Sequence, residues 1–242
     1  MTKTTPDIMI SLRDVDVRYT LERRLWNQET FQALEGITFD IHAGESLGIV
    51  GLNGAGKSTL LQVISSILKP DKGALINYGY STALLTTSLG FDPSLTGRRN
   101  AVMGGLLMGN RKDEIEAHLD DIHAFSELGD FFDRPIKTYS SGMRSRLGFS
   151  VALYMNPDIL LIDEGMSAGD ARFKEKANAA MEEKLQSAKT VVMTSHQGGT
   201  IEELCQRALW LEQGKIKMWG TPEEVINDYK EHVTTFRKEK RA

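Results

Sequence analysis

The sequence predicts a parallel α/β core interrupted by a helical block. Three observations carry that reading. First, residues 45–50 (ESLGIV) make a short apolar strand that runs into a glycine-rich turn and then an apolar-periodic helix from Lys57 to Leu68. Second, strand patterns return at Ile159–Asp163 and Thr190–Ser195, separated by a charged helix from about Ala171 to Ser187. Third, from about Gly97 to Met155 the periodicity is helical, with Ile115, Leu119 and Ile122 three and four residues apart.

The remaining elements follow in order. Ile8 to Tyr19 and Phe31 to Ile41 read as strands, KPDKG (69–73) as a turn, and 74–78 and 82–85 as short strands. RALWLE (207–212), a Gln213–Gly214 turn and KIKMW (215–219) predict a closing hairpin. TPEEVINDYKEHV (221–233) predicts a last helix, with Thr221 as N-cap and Pro222 at the first helical position. The organisation expected is one domain over residues 1–233. Its core covers about 1–96 and 156–233, its helical subdomain about 97–155, and a charged tail occupies 234–242.

The chain has 242 residues, 40% apolar and 26% charged, enough to bury a core. Its net charge of -4 argues against bulk nucleic-acid binding. The single cysteine, Cys205, excludes an internal disulfide framework and fits a reducing compartment. No apolar stretch approaches the roughly 18 residues that span a bilayer, and the start, MTKTTPDIMISLRD, has no long apolar core of a signal peptide. The expectation is a soluble or peripheral protein, so that any membrane-spanning part is another chain.

GLNGAGKST (51–59) satisfies the phosphate-loop pattern G-x-x-x-x-G-K-[ST]. Its glycines let the backbone of Asn53, Gly54, Ala55, Gly56, Lys57, Ser58 and Thr59 fold tightly, turning N–H groups onto phosphates at a helix N-terminus. Lys57 would reach the β- and γ-phosphates and the Ser58 hydroxyl would bind Mg²⁺. A glycine-rich turn with an incidental lysine is the plainer alternative, and the strand before and helix after argue against it. ILLIDE (159–164) is an apolar strand ending in two carboxylates. By itself that is a solvated turn; beside a phosphate loop, Asp163 becomes a Mg²⁺ ligand, direct or through water, and Glu164 the group that polarises the attacking water.

Between these motifs lies YSSGMRSRL (139–147), where Ser140, Ser141 and Gly142 open a helix: in isolation an ordinary serine N-cap, and beside the other two motifs an anion site. In this order and spacing the three motifs resemble the ATP-binding subunits of ABC transporters, and the resemblance covers nearly the whole chain. It implies a P-loop NTPase (RecA-like) core with an antiparallel β subdomain and an inserted α-helical subdomain. The family signature is usually Leu-Ser-Gly-Gly-Gln, so Ser140 and Gly142 match while Tyr139, Ser141 and Met143 depart. His196 matches the switch histidine that contacts the γ-phosphate, Asp170 in SAGD (167–170) the D-loop aspartate, and Tyr19 the aromatic that stacks on adenine. The glutamine that normally leads into the helical block is missing, since none lies between Gln62 and Gln186. Either a hydroxyl of Thr86, Thr87 or Ser88 or the backbone replaces it, or Mg²⁺ coordination is incomplete. The resemblance further implies a homodimer, with ATP and Mg²⁺ between the phosphate loop of one copy and the signature of the other.

The missing glutamine beside GFDPSLTGRRN (90–100), the YSSGM signature, AGDARFKEK (168–176) and the long segment TLERRLWNQET (20–30) resemble the polysaccharide-export branch of that family. This implies ATP hydrolysis at the cytoplasmic face of a bacterial inner membrane, coupled to two copies of a separate permease that handles a glycan on a lipid carrier. The alternatives are an ABC subunit for another cargo, such as a lipid or drug, and a soluble ABC ATPase outside transport. Trp26, within the long segment, is expected either at the membrane or permease face or packed on its own domain. Some members of the branch carry a further carbohydrate-binding domain; the early end of this chain reads as a system that needs none, the alternative being a shortened chain.

Overall fold

The computed structural model describes residues 7–23, 27–85, 90–155, 157–163, 171–186, 190–195 and 198–239. In chain order the elements are β1 (Ile8–Arg23), β2 (Asn27–His42), β3 (Ser46–Val50), α1 (Lys57–Ile64), β4 (Lys72–Asn77), β5 (Thr82–Leu85), α2 (Gly97–Leu107), α3 (Lys112–Ala117), α4 (Leu119–Ser126), α5 (Ser141–Tyr154), β6 (Ile159–Ile162), α6 (Ala171–Gln186), β7 (Thr190–Ser195), α7 (Gly198–Leu204), β8 (Arg207–Glu212), β9 (Lys215–Gly220) and α8 (Pro222–Glu239). Two 3₁₀ turns, Gly129–Asp133 and Ile136–Thr138, lead into α5. The chain divides into two compact units, Met1–Tyr80 with Lys189–Ala242, and Ser81–Ala188.

In the first unit β2, β1 and β4 form an antiparallel sheet, and β3 lies in parallel between β7 and β8, with β9 antiparallel on β8. All of β3 and β7 is buried, as continuous apolar runs require in a parallel arrangement. Glu45, 6% exposed just before β3, is an exception that is paired: its carboxylate lies 3.0 Å from Arg207 at the start of β8. Cys205 is buried between α7 and β8, and burial pushes its thiol up to about 12. The described part of the segment 20–30 extends the ladder between β1 and β2, pairing Thr20 with Thr30 and Arg23 with Asn27. Trp26 itself lies outside the described residues. The last helix is longer than the predicted 221–233, and Thr221 and Glu224 cap it reciprocally: the Thr221 backbone N–H reaches Glu224 Oε2 at 3.1 Å, and the Glu224 N–H reaches Thr221 Oγ1 at 3.4 Å.

In the second unit β5 pairs in parallel with β6, and α2 to α5 pack round a fully buried Phe132 and Ile122. GFDPSLTGRRN is organised by Asn100, which is completely buried. Its Nδ2 donates to the carbonyls of Asp92 (3.0 Å), Leu95 (3.1 Å) and Thr96 (3.0 Å), and its Oδ1 accepts from the Asp92 N–H (2.8 Å). One amide side chain thus supplies the acceptor for the Asp92 N–H and a further donor to three carbonyls that also accept backbone N–H groups.

Asn100→Ala should take the acceptor from the Asp92 N–H, while the three carbonyls keep backbone donors, and destabilise the protein by about 1–3 kcal/mol, the cost of one unsatisfied buried group. Urea unfolding followed by circular dichroism measures this; a midpoint equal to wild type would show that the turn holds without it.

Candidate functional site

The glycine-rich turn leaves β3 and enters α1 by a backbone that only small residues permit. Gly56 sits at φ +103°, left-handed, and a Cβ there would lie 2.5 Å from the Ala33 carbonyl oxygen of β2. At Gly51 a Cβ would collide with the Leu211 carbonyl oxygen of β8. The Gln213–Gly214 turn closes the brace, because the Gly214 N–H donates to the Ala55 carbonyl at 3.0 Å and the Gly214 carbonyl accepts from Glu35 N–H at 2.9 Å. Sequence reading identified this turn as a hairpin and missed its second role, for which the signal was two positive-φ positions, Gln213 and Gly214, directly after an apolar strand.

Lys57, the first residue of α1, is 9% exposed, and its ammonium donates to the carbonyls of Gly51 (2.6 Å) and Leu52 (3.3 Å). The side chain is folded back over its own loop. Asn53, Gly54 and Ser58 are exposed, Ala55 is buried and Thr59 half-buried. The Tyr19 hydroxyl lies 3.5 Å from Thr59 Oγ1, so the end of β1 meets the first turn of α1. Backbone N–H groups and one ammonium are thus gathered at a helix start, an arrangement suited to a phosphate chain.

In the second unit Ser140 is the N-cap of α5, its Oγ accepting from the Met143 N–H at 3.1 Å, while Ser141 is exposed and Gly142 half-buried. Tyr139, where leucine is usual, has a structural role. Its ring is 5% exposed, its hydroxyl donates to the Phe131 carbonyl at 2.5 Å, and a Cβ on Gly97 would strike that hydroxyl. Burial, with Asp133 nearby, pushes the phenol up to about 12, so it stays a donor at all physiological pH. Tyr139 therefore ties the start of α5 to the start of α2. Asp163 directly follows β6 and is half-buried. Glu164, Asp170 and His196 lie outside the described residues, as do Thr86, Thr87 and Ser88; Ser195, at the end of β7, is buried.

A strand–glycine loop–helix cradle with parallel strands beside it, an antiparallel sheet and a helical unit carrying a serine-capped helix define a P-loop NTPase of the ABC ATPase type. Solved structures share the fold. An ATP-binding subunit of an ABC transporter superposes with a TM-score of 0.74 at 22% identity, covering 91% of this chain and 93% of that one. A dimeric ATP-binding cassette bound to ADP and Pi gives 0.72 at 22% identity, covering 88% and 99%. The family model described as ABC transporter matches residues 34–167. The teichoic acids export ATP-binding protein TagH of Lactococcus lactis subsp. lactis is 44% identical over 212 residues, 88% of this chain and 45% of that protein. The O-antigen export system ATP-binding protein RfbB of Myxococcus xanthus is 44% identical over 202 residues, 84% and 46%. The chain belongs to the ABC transporter family, and it spans just under half the length of these two relatives. The matched span holds the phosphate loop, the signature and Asp163, and leaves out Tyr19, Asp170 and His196.

Tyr139→Phe should remove one of the two donors to the Phe131 carbonyl, which keeps the Arg134 N–H at 2.8 Å, and lower stability by about 0.5–1.5 kcal/mol. Guanidinium unfolding reads the difference, and an unchanged free energy would remove the phenol from the account of why tyrosine stands there.

Proposed function

We propose that this chain binds and hydrolyses ATP and thereby powers export of a lipid-linked polysaccharide through a separate membrane-embedded permease. The observation that carries the cargo class is that both relatives at 44% identity, over more than four fifths of this chain, are named for export of teichoic acids or O-antigen. The observation that supports the chemistry is Lys57, folded over its own glycine loop at the start of α1.

On this reading Asn53, Gly54, Ala55, Gly56, Ser58 and Thr59 surround the phosphates with backbone N–H groups, and Lys57 carries charge to the β- and γ-phosphates. Tyr19 faces the base. Ser58, an exposed hydroxyl on the first turn of α1, and Asp163, a carboxylate at a strand end, are oxygen donors of the kind Mg²⁺ takes. Mg²⁺ bound there would neutralise charge on the phosphate oxygens. Glu164 polarises the attacking water and His196 holds it against the terminal phosphate.

Ser140, Ser141 and Gly142, together with Asp170, complete the site of a second copy in a head-to-tail homodimer. The exposed helix start at Ser141 supports that assignment. Two permease subunits, giving a heterotetramer at the cytoplasmic face of a bacterial inner membrane, complete the proposal. No helix among the described residues is long and apolar enough to cross a membrane, so the path for the glycan is assigned to the permease.

Glu164→Gln should retain ATP while turnover falls about 10²–10⁴-fold, the usual worth of general-base catalysis; steady-state hydrolysis and equilibrium binding measured together decide this, and normal turnover would place water activation elsewhere. Lys57→Ala should abolish ATP binding at concentrations that saturate wild type, as isothermal titration would show. The cargo is tested by pulling down tagged Glu164→Gln protein from native membranes with ATP and analysing proteins and lipid-linked glycans by mass spectrometry. A polytopic permease with a glycan is the expected result; a permease carrying another cargo, or ribosomes or repair proteins instead, would overturn the export reading.

A further inference from the structure

We infer that Phe31 forms, with Tyr19, a two-ring platform that stacks the purine base of the nucleotide held by the phosphate loop. The inference rests on the reading of that loop as a nucleotide site and adds a base-contacting residue to it. Tyr19 and Phe31 are direct cross-strand partners in the β1–β2 hairpin. Partners of this kind share one face of the sheet, with Cβ atoms about 5 Å apart. That face is turned to the loop, since the Tyr19 hydroxyl lies 3.5 Å from Thr59 Oγ1.

The pairing is set by an irregularity. Val17 pairs with Leu34, yet Arg18 pairs with Gln32, so β2 carries one extra residue, Ala33. A regular ladder continued from Val17 and Leu34 would place Gln32 opposite Tyr19. The extra residue places Phe31 there instead and sends Gln32 to the opposite face, where its Oε1 accepts from Arg18 Nε at 2.7 Å. The carbonyl of the same Ala33 lies where a Cβ of Gly56 would be, within 2.5 Å. One bulge therefore seats the loop and turns a second aromatic ring towards it.

Burial separates these rings from ordinary core. Val17 and Leu34 are 1% and 0% exposed, whereas Tyr19 and Phe31, next along the same strands, are 38% and 50% exposed. Two exposed rings on one face of the hairpin offer π-surface to a base, and stacking of this kind accepts every base because each has a π-face. The ligand class is a purine nucleoside triphosphate, with little discrimination between adenine and guanine from this platform.

Binding of ATP, GTP and inorganic triphosphate to the full chain, measured by isothermal titration, tests the inference. Phe31→Ala should weaken ATP and GTP alike by roughly 5- to 150-fold, the usual worth of one aromatic–base stack, and leave triphosphate affinity unchanged. Phe31→Trp should restore both nucleotides. Phe31→Leu, which keeps the apolar contact with the strand but has no ring, should bind ATP like Phe31→Ala, with unchanged circular dichroism. ATP affinity equal to wild type in Phe31→Leu, or parallel loss of ATP and triphosphate in Phe31→Ala, would overturn the platform while leaving the loop assignment intact. Wild-type protein that binds neither ATP nor triphosphate would instead remove the loop assignment on which the platform rests.

Discussion

Gly56 is the point on which the phosphate loop depends. Its left-handed backbone, φ +103°, and the Ala33 carbonyl occupying the space of a side chain admit no other residue without moving β2 or α1. The consequences spread outward through main-chain contacts. Ala33 is free to approach because it is the extra residue of a bulge, and the bulge resets which side chains of β2 face the loop. On the other flank Gly51 lies against the Leu211 carbonyl, and the Gly214 N–H holds Ala55. The loop is thus clamped by backbone from two hairpins, β1–β2 and β8–β9, rather than by side chains that rotate. That is the rigidity electrostatic recognition requires, because donors already aimed at a phosphate need no reorganisation when it arrives.

The helical unit solves a similar problem with side chains. Asn100 hydrogen-bonds four backbone groups of the 92–96 turn, and Tyr139 spans from the start of α5 to the Phe131 carbonyl beneath Gly97. Both place polar atoms in buried positions, and both are stabilising because those atoms are hydrogen-bonded there. Tyr139 also explains why this signature tolerates a tyrosine in place of leucine. The ring occupies an apolar site as leucine would, and the hydroxyl finds an acceptor, helped by a Gly97 that leaves it room.

The parallel core was legible because a fully buried strand has a plain signature: Ile159–Ile162, Thr190–Thr194 and Leu47–Val50 are runs without a charged residue, mostly apolar or β-branched, beside turn residues. The phosphate loop was legible because its backbone geometry demands glycine at fixed spacing. The β1–β2 hairpin was read short, over 8–19 and 31–41, because residues 20–30 are charged and polar; cross-strand hydrogen bonding, which needs no apolar side chain, extends the ladder to Arg23 and Asn27. α1 was read four residues long at its end, and it stops at Ile64 where Ser66 turns to φ 60°. α7 was not read at all, since GGTIEEL (198–204) offers one buried anchor, Ile201, too few to show a period. The bulge at Ala33 was invisible for a different reason. It is a property of register between two strands, and no single strand encodes it.

That last point bears on how a site of this kind is specified. The motif fixes the chemistry of the phosphates because each of its residues acts through local backbone geometry, the glycines by φ and Lys57 by its place on the first turn of α1. Recognition of anything beyond the phosphates has to come from elements distant in sequence, and here those elements are strands whose faces are chosen by register. A one-residue change in register exchanges one face of a strand for the other, so a bulge beside the loop is a compact means of choosing which side chain meets the ligand. The same Ala33 that gives Gly56 its neighbour removes Gln32 from that face and presents Phe31. Loop seating and side-chain selection are therefore one structural event, and a change that repaired the ladder would disturb both together.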